Sequence, residues 1–195
     1  MNQGSETEIK LAVPSLAAAR RKIRGLGFHK ISPRHFETNA LYDFLDARLR
    51  KARCLLRVRK AGREWVLTFK GAPAATQDYK SREEVETIVK EGGKLQAILS
   101  RLGLQQVFRY DKYRTIFAPP STAKARKQAL MTLDETPIGN YLELEGSEAW
   151  IDRTAARLGY RREDYITASY AALYRQHCEK TREAPSDMVF NSRRV

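Results

Sequence analysis

Polar and apolar residues alternate over Thr7-Glu8-Ile9-Lys10-Leu11-Ala12-Val13, the two-residue period of a half-buried strand. Pro14-Ser15 stops it. Leu16, Ala19, Ile23 and Leu26 then recur at spacings of 3, 4 and 3, which predicts a helix face closed by Gly25 and Gly27. Residues 28–44 read as extended, with a break or bulge at Pro33. Residues 54–60 and 64–71 predict two strands joined by a hairpin at Ala61-Gly62-Arg63. Residues 72–77 read as loop and 79–89 as a strand by alternation, although its glutamates are poor strand formers. Gly92-Gly93 leads into a helix with Leu95, Ile98, Leu99 and Leu102 on one face, closed by Gly103. A strand over 106–117 ends at Pro119-Pro120, and 129–133 with 140–145 form a hairpin around Thr136-Pro137-Ile138-Gly139. Ser147 is placed to cap a helix through Leu158 that Gly159 ends, and 165–179 reads as the last helix. Residues 181–195 read as a loose tail in which Met188-Val189-Phe190 can dock on the body. The strands are chained too closely by hairpins for a parallel sheet. The pattern predicts an α+β fold with one large antiparallel sheet curled into a barrel.

Composition narrows the partners. The 195 residues carry 36 Lys+Arg against 23 Asp+Glu, a formal net charge of +13, which asks for an anionic partner: a nucleic acid or a phosphorylated small molecule. Cys54 and Cys178 cannot build a disulfide framework, and that count fits a reducing cytoplasm. The longest mostly apolar stretch, residues 11–19, falls far short of the ~20 residues of a membrane span. The first residues lack the basic and apolar regions of a signal peptide, so a cytoplasmic protein with no membrane partner is expected.

The position of the charges changes the picture more than their number. Side chains two apart on a strand share a face. Glu6, Glu8 and Lys10 share one face, with Ile9, Leu11 and Val13 opposite. Arg57 pairs in this way with Arg59, and Lys70 falls opposite Trp65, Leu67 and Phe69. Arg82, Glu84 and Glu86 share a face, as do Lys112 and Arg114, and Glu143 and Glu145; Asp134 sits at a strand end. Any one pair describes the solvated side of an ordinary sheet. The set holds seven acids and seven bases, and a closed sheet would turn all fourteen into one lumen. Such a lumen can hold divalent cations on its carboxylates and a polyphosphate on its bases.

Glu6-Thr7-Glu8-Ile9-Lys10 resembles the N-terminal E-x-E-x-K signature of the CYTH superfamily, the triphosphate tunnel metalloenzymes. Leu56-Arg57-Val58-Arg59, Leu67-Thr68-Phe69-Lys70-Gly71, Arg82-Glu83-Glu84-Val85-Glu86 and Lys112-Tyr113-Arg114 resemble its successive tunnel strands, in order. Leu133-Asp134 and Gly139-Asn140-Tyr141-Leu142-Glu143-Leu144-Glu145 resemble its closing acidic strands. The resemblance implies an eight-stranded antiparallel β-barrel, a tunnel with peripheral helices, over residues 5–179, and a C-terminal tail over 180–195. It implies Mg²⁺ or Mn²⁺ on Glu6, Glu8, Glu143 and Glu145, with Asp134 and Glu84 or Glu86 near them. It further implies a triphosphate gripped by Lys10, Arg57, Arg59, Lys70, Arg82, Lys112 and Arg114. Lys10, Arg57, Arg59, Lys70 and Arg82 are the expected catalytic cations. Substrates in that family class include ATP, tripolyphosphate and thiamine triphosphate, and a homodimer stays open.

Two segments resemble class IV adenylyl cyclases in particular. Ser169-Tyr170-Ala171-Ala172-Leu173-Tyr174 is similar to their C-terminal S-Y-x-x-L-L-like helix, with Tyr174 in place of an aliphatic residue. Residues 36–43 are similar to their second strand. The implied reaction is ATP to cyclic AMP and pyrophosphate; triphosphate hydrolysis and a non-catalytic polyphosphate- or nucleotide-binding module are the alternatives. Residues 48–63 hold eight bases (Arg48, Arg50, Lys51, Arg53, Arg57, Arg59, Lys60 and Arg63) and no acid. They read as a solvated basic loop beside the tunnel mouth in preference to a nucleic-acid surface, since no recognition helix or aromatic RNA motif accompanies them. His29, His35 and His177 with the two cysteines make no zinc set.

Overall fold

Eight antiparallel strands close on themselves in the order β1-β5-β4-β3-β2-β6-β7-β8 in the structure, a computed structural model that describes residues 4–74, 78–119 and 129–190. The elements are β1 (Gly4–Ala12), α1 (Leu16–Gly25), β2 (His29–Phe44), α2 (Arg48–Lys51), β3 (Leu55–Ala61), β4 (Glu64–Lys70), β5 (Lys80–Val89), α3 (Gly92–Arg101), β6 (Leu104–Ala118), β7 (Leu130–Thr136), β8 (Gly139–Glu145), α4 (Glu148–Leu158) and α5 (Tyr170–Thr181). Residues 75–77 of the expected loop, Pro120 and the last five residues of the tail lie outside the described residues. The barrel closes through β1, whose Glu8 faces Lys80 of β5 on one side and Glu145 of β8 on the other. Among the described residues no helix is long and apolar enough to cross a membrane.

Alternation along each strand gives the barrel two unlike faces. Ile9, Leu11, Leu133, Leu142 and Leu144 point outward and are buried beneath α1 and α4 through Ile23, Ile151, Ala155 and Leu158. Each such side chain contributes about 1.5–3 kcal/mol by leaving water. A second outer cluster packs α3 on β2 and β3 through Leu99, Ala40, Tyr42 and Val58, with Trp65 and Leu95 against it. Gly92 starts α3 directly over the Trp65 ring, where an added Cβ would fall 2.0 Å from a ring carbon. Pro33 lies within the register shifts of β2 between Lys30 and His35, as expected.

Three local expectations change. The last helix starts at Tyr170, not Tyr165, because residues 165–169 run extended: the Ile166 N–H donates to the Lys10 carbonyl, and the Lys10 N–H returns the bond. Ser169 caps the helix by accepting the Ala172 N–H at 3.2 Å. Ile98 and Leu102 of α3 are more than half exposed, so only Leu99 and Leu95 of the expected face reach the core. The basic segment is not one solvated loop. Asp43 accepts the backbone N–H groups of Phe44, Leu49 and Arg50 at 2.8–3.0 Å, which ties α2 to the end of β2 and sends the following arginines to different places. Met188 docks as the sequence suggested. Its N–H donates to the Arg109 carbonyl and its carbonyl accepts the Asp111 N–H, both at 2.9 Å, so residues 187–189 lie along the edge of β6 that β7 leaves unpaired.

Candidate active site

Thirteen of the fourteen charged residues expected in the lumen line one cavity of about 680 Å³ inside the barrel: Glu6, Glu8, Lys10, Arg57, Arg59, Lys70, Arg82, Glu84, Glu86, Lys112, Arg114, Glu143 and Glu145. Their convergence follows from strand parity, since a closed antiparallel sheet turns every second side chain of every strand inward. Register then sets charge against charge. Glu6 faces Arg82, Glu8 faces Lys80, Lys10 faces Glu143, Lys70 faces Glu84, Glu37 faces Lys112, and Arg114 faces Asp134. Glu8 and Glu145 are the one directly opposed pair of like charge among these lumen carboxylates.

Asp134 is the fourteenth, and it does not line the cavity. It is fully buried and accepts hydrogen bonds from Lys112 Nζ at 2.9 Å, from Arg114 Nε and Nη2 at 2.7 and 2.6 Å, and from the Tyr170 hydroxyl at 2.8 Å. Its carboxylate is spent as the counter-ion beneath two cavity cations. Glu84 and Glu86, which sequence does not tell apart, both line the cavity. Glu84 pairs with Lys70 at 2.8 Å and Arg57 at 3.8 Å; Glu86 lies 3.6–3.8 Å from Arg59 and Arg57 and accepts from Thr68. Glu143 is gripped by Lys10 and Arg114.

Three further residues belong to the site. Lys80 lies on the face of Arg82, Glu84 and Glu86, two residues before Arg82, and donates to Glu8 at 2.7 Å. The period-two rule that places Arg82 on this face reaches Lys80 as well. Glu37 carries no comparable signal, because it lies in a strand with few charges; it is buried 3.6 Å from Lys112. Tyr170, from the start of α5, lies between the ammonium groups of Lys10 and Lys112, 5.2 and 5.3 Å from its ring centre. It forms part of the cavity wall.

The charges are unevenly satisfied. Burial opposes ionisation of Glu8 and Glu143, but Lys10 with Lys80, and Lys10 with Arg114, override it and hold both carboxyls well below the usual range. Glu6 is pushed up to about 7 by burial and a hydrogen bond with Glu84, against the pull of Lys70. Glu145 is pushed up to about 7 by burial and then by the negative charges of Glu6 and Glu8. Lys80 is pulled down to about 8 by burial and by the neighbouring Lys10. Glu6 and Glu145 are thus the carboxylates whose charge the lumen stabilises least, and a divalent cation beside them would favour their charged forms. Among the described residues no three acidic, histidine or cysteine side chains converge as a ready ligand cage. Lys70, 2.5 Å from Glu6, and Lys80 draw the two carboxylates onto ion pairs instead. The buried Nε atoms of Arg57 and Arg82 have no hydrogen-bond partner among the described residues, so these two lumen arginines each keep an unused donor.

A closed eight-stranded antiparallel barrel whose lumen is lined by opposed carboxylates, arginines and lysines defines the class of the fold. The chain belongs to the CYTH domain family, whose model matches residues 4–170. It is 27% identical over 143 residues to a protein named putative adenylate cyclase from Methanocaldococcus jannaschii, covering 73% of this chain and 77% of that protein. The fold is shared with the PH1819 protein of Pyrococcus horikoshii, at a TM-score of 0.73 and 22% identity over 88% of this chain and 99% of that one. It is shared too with a Hippeastrum protein named putative adenylyl cyclase and described as having a dominant triphosphatase activity. There the TM-score is 0.62 and the identity 20%, over 88% of this chain and 96% of that one.

Proposed function

We propose that the protein is a divalent-metal-dependent enzyme that cleaves a triphosphate inside the barrel, with ATP cyclisation of the class IV adenylyl cyclase type as the first reading. The observation that supports it is the lumen itself: Glu6 and Glu145, the carboxylates least stabilised in their charged form, share one cavity with Arg57, Arg59, Lys70, Arg82, Lys112 and Arg114. Glu6, Glu8 and Glu145 would hold the cation, which when bound supplies Lewis-acid neutralisation of phosphoryl oxygens. The chain's own cations do the rest. Arg57 and Arg59 of β3 and Lys112 and Arg114 of β6, the two strands that flank β2, would hold the phosphoryl oxygens with charge-assisted hydrogen bonds. Lys70 and Arg82 would stabilise charge that grows on the leaving group. Thr68 and Asp134 keep these bases oriented before any substrate arrives, through Arg57 at 3.2 Å and Arg114 at 2.6–2.7 Å.

Cyclisation requires the ribose 3′-oxygen to attack the α-phosphorus as the α–β bridging bond breaks and pyrophosphate leaves. Hydrolysis requires only water at a terminal phosphorus. The same charges serve both, and the name and activity of the Hippeastrum relative support hydrolysis as the second reading. Parallel product analysis with ATP, thiamine triphosphate and tripolyphosphate in Mg²⁺ or Mn²⁺ tests both. Cyclic AMP with pyrophosphate supports the first reading. Orthophosphate with ADP, and faster cleavage of tripolyphosphate, replaces it with the second.

A further inference from the structure

The lysines that line the lumen are not held alike. Lys10 lies 3.6 Å from Glu8 and 3.3 Å from Glu143, and Lys70 lies 2.5 Å from Glu6 and 2.8 Å from Glu84. Lys112 lies 3.6 Å from Glu37 and 2.9 Å from Asp134. Each of these three ammonium groups is shared between two carboxylates. Lys80 has one carboxylate partner among the described residues, Glu8 at 2.7 Å. The neighbouring charges of Lys10 and Arg82 repel it.

Glu8 is contested from both sides of β1. It faces Lys80 on β5 and Glu145 on β8. A divalent cation shared by Glu8 and Glu145 would relieve their like-charge opposition, but it repels an ammonium group on the same carboxylate. The two cations therefore compete for Glu8. An ammonium group displaced from Glu8 and left beside Lys10 and Arg82 needs another anion, because an uncompensated charge in a largely enclosed site is costly. Lys80 shares the wall of the cavity with Arg82, and its flexible four-carbon stem lets the ammonium change partners.

We infer that Lys80 is a transferable cation: it holds Glu8 in the empty tunnel, competes there with the divalent cation, and passes to a phosphoryl oxygen of the substrate once Glu8 is taken from it. The inference rests on the metal and triphosphate reading of the tunnel and adds a coupling between the two ligands. Cation binding frees a donor for the triphosphate. By linkage, a triphosphate that draws Lys80 away strengthens the hold of Glu8 on the cation. Lys10, Lys70 and Lys112 are not released in this way, because each keeps a second carboxylate.

The test measures Mn²⁺ binding to the substrate-free protein by electron paramagnetic resonance of the free ion. Lys80→Met and Lys80→Gln should each bind Mn²⁺ about tenfold or more tightly than wild type, whereas Lys80→Arg, which keeps the charge, should stay within about threefold of it. Lys112→Met removes the same charge from other carboxylates of the lumen, Glu37 and Asp134, and should change Mn²⁺ affinity by less than about threefold. Calorimetric titration in saturating Mg²⁺ should show tripolyphosphate bound about tenfold more weakly by Lys80→Met and Lys80→Gln. Circular dichroism melts check that each variant is folded, and either neutral variant suffices if the other is not. Wild-type Mn²⁺ affinity in the neutral variants, or an equal gain in Lys112→Met, overturns the competition. Wild-type tripolyphosphate affinity in the neutral variants overturns the transfer. If neither wild type nor any variant binds Mn²⁺, the metal reading of the tunnel fails and this inference with it.

Discussion

Asp134→Asn is the most informative single change, because it separates a counter-ion from a metal ligand. The substitution keeps the size of the side chain and removes the charge that Lys112, Arg114 and Tyr170 share. Removing one partner of a buried ion pair costs about 3–5 kcal/mol, because the other charge is left uncompensated. Here both cations keep a second partner: Lys112 has Glu37 at 3.6 Å, and Arg114 has Glu143. The lower end, about 3 kcal/mol, is therefore expected. At roughly 2–4 °C per kcal/mol for a chain of this size, the melting temperature should fall by about 6–12 °C. Circular dichroism melts at pH 7 read the loss, and calorimetric titration reads Mn²⁺ affinity, which should change less than about threefold. A melting temperature within about 2 °C of wild type would refute the counter-ion role. Lost Mn²⁺ binding with an unchanged melt would return Asp134 to the metal.

Glu6→Gln with Glu8→Gln should abolish turnover and Mn²⁺ binding while the fold persists; an unchanged rate in saturating Mn²⁺ removes both from the site. Arg57→Ala or Arg59→Ala should weaken tripolyphosphate by about ten- to a hundredfold, the worth of a charge-assisted contact, and wild-type affinity in both would show that they do not grip it. Without a divalent cation, the melting temperature should fall as pH rises from about 4.5 to 7. Burial pushes Glu6 and Glu145 up to about 7 from an ordinary value of 4.5, so the folded state binds more protons in that window and loses this advantage as they leave. Glu145→Gln should flatten that slope; an unchanged slope would mean that the carboxyl is not strained.

Strand existence and side-chain parity were legible because both depend on a two-residue period, which survives errors of a residue or two at strand ends. Thirteen lumen residues followed from parity alone. Depth and partner were not legible, because they depend on register between strands far apart in sequence. Arg114 meets Asp134 across 20 residues and Glu6 meets Lys70 across 64, so neither the burial of Asp134 nor the ion pair on Glu6 could be read. The start of the last helix is not legible, because the Lys10 backbone pairs with Ile166 in the extended run 165–169, a contact with no local sequence signal. The basic run dispersed for the same reason. Arg57 and Arg59 enter the tunnel by strand parity, whereas Arg50 and Arg53 line a separate cavity beside it, next to the turn that Asp43 ties down.

Calorimetric titration of tripolyphosphate in Mg²⁺, with wild type beside Arg57→Ala and Arg114→Ala, tests the tunnel as a triphosphate site most directly. One molecule should bind per chain, and each variant should bind at least about tenfold more weakly. No binding by wild type, or wild-type affinity in both variants, would contradict the assignment.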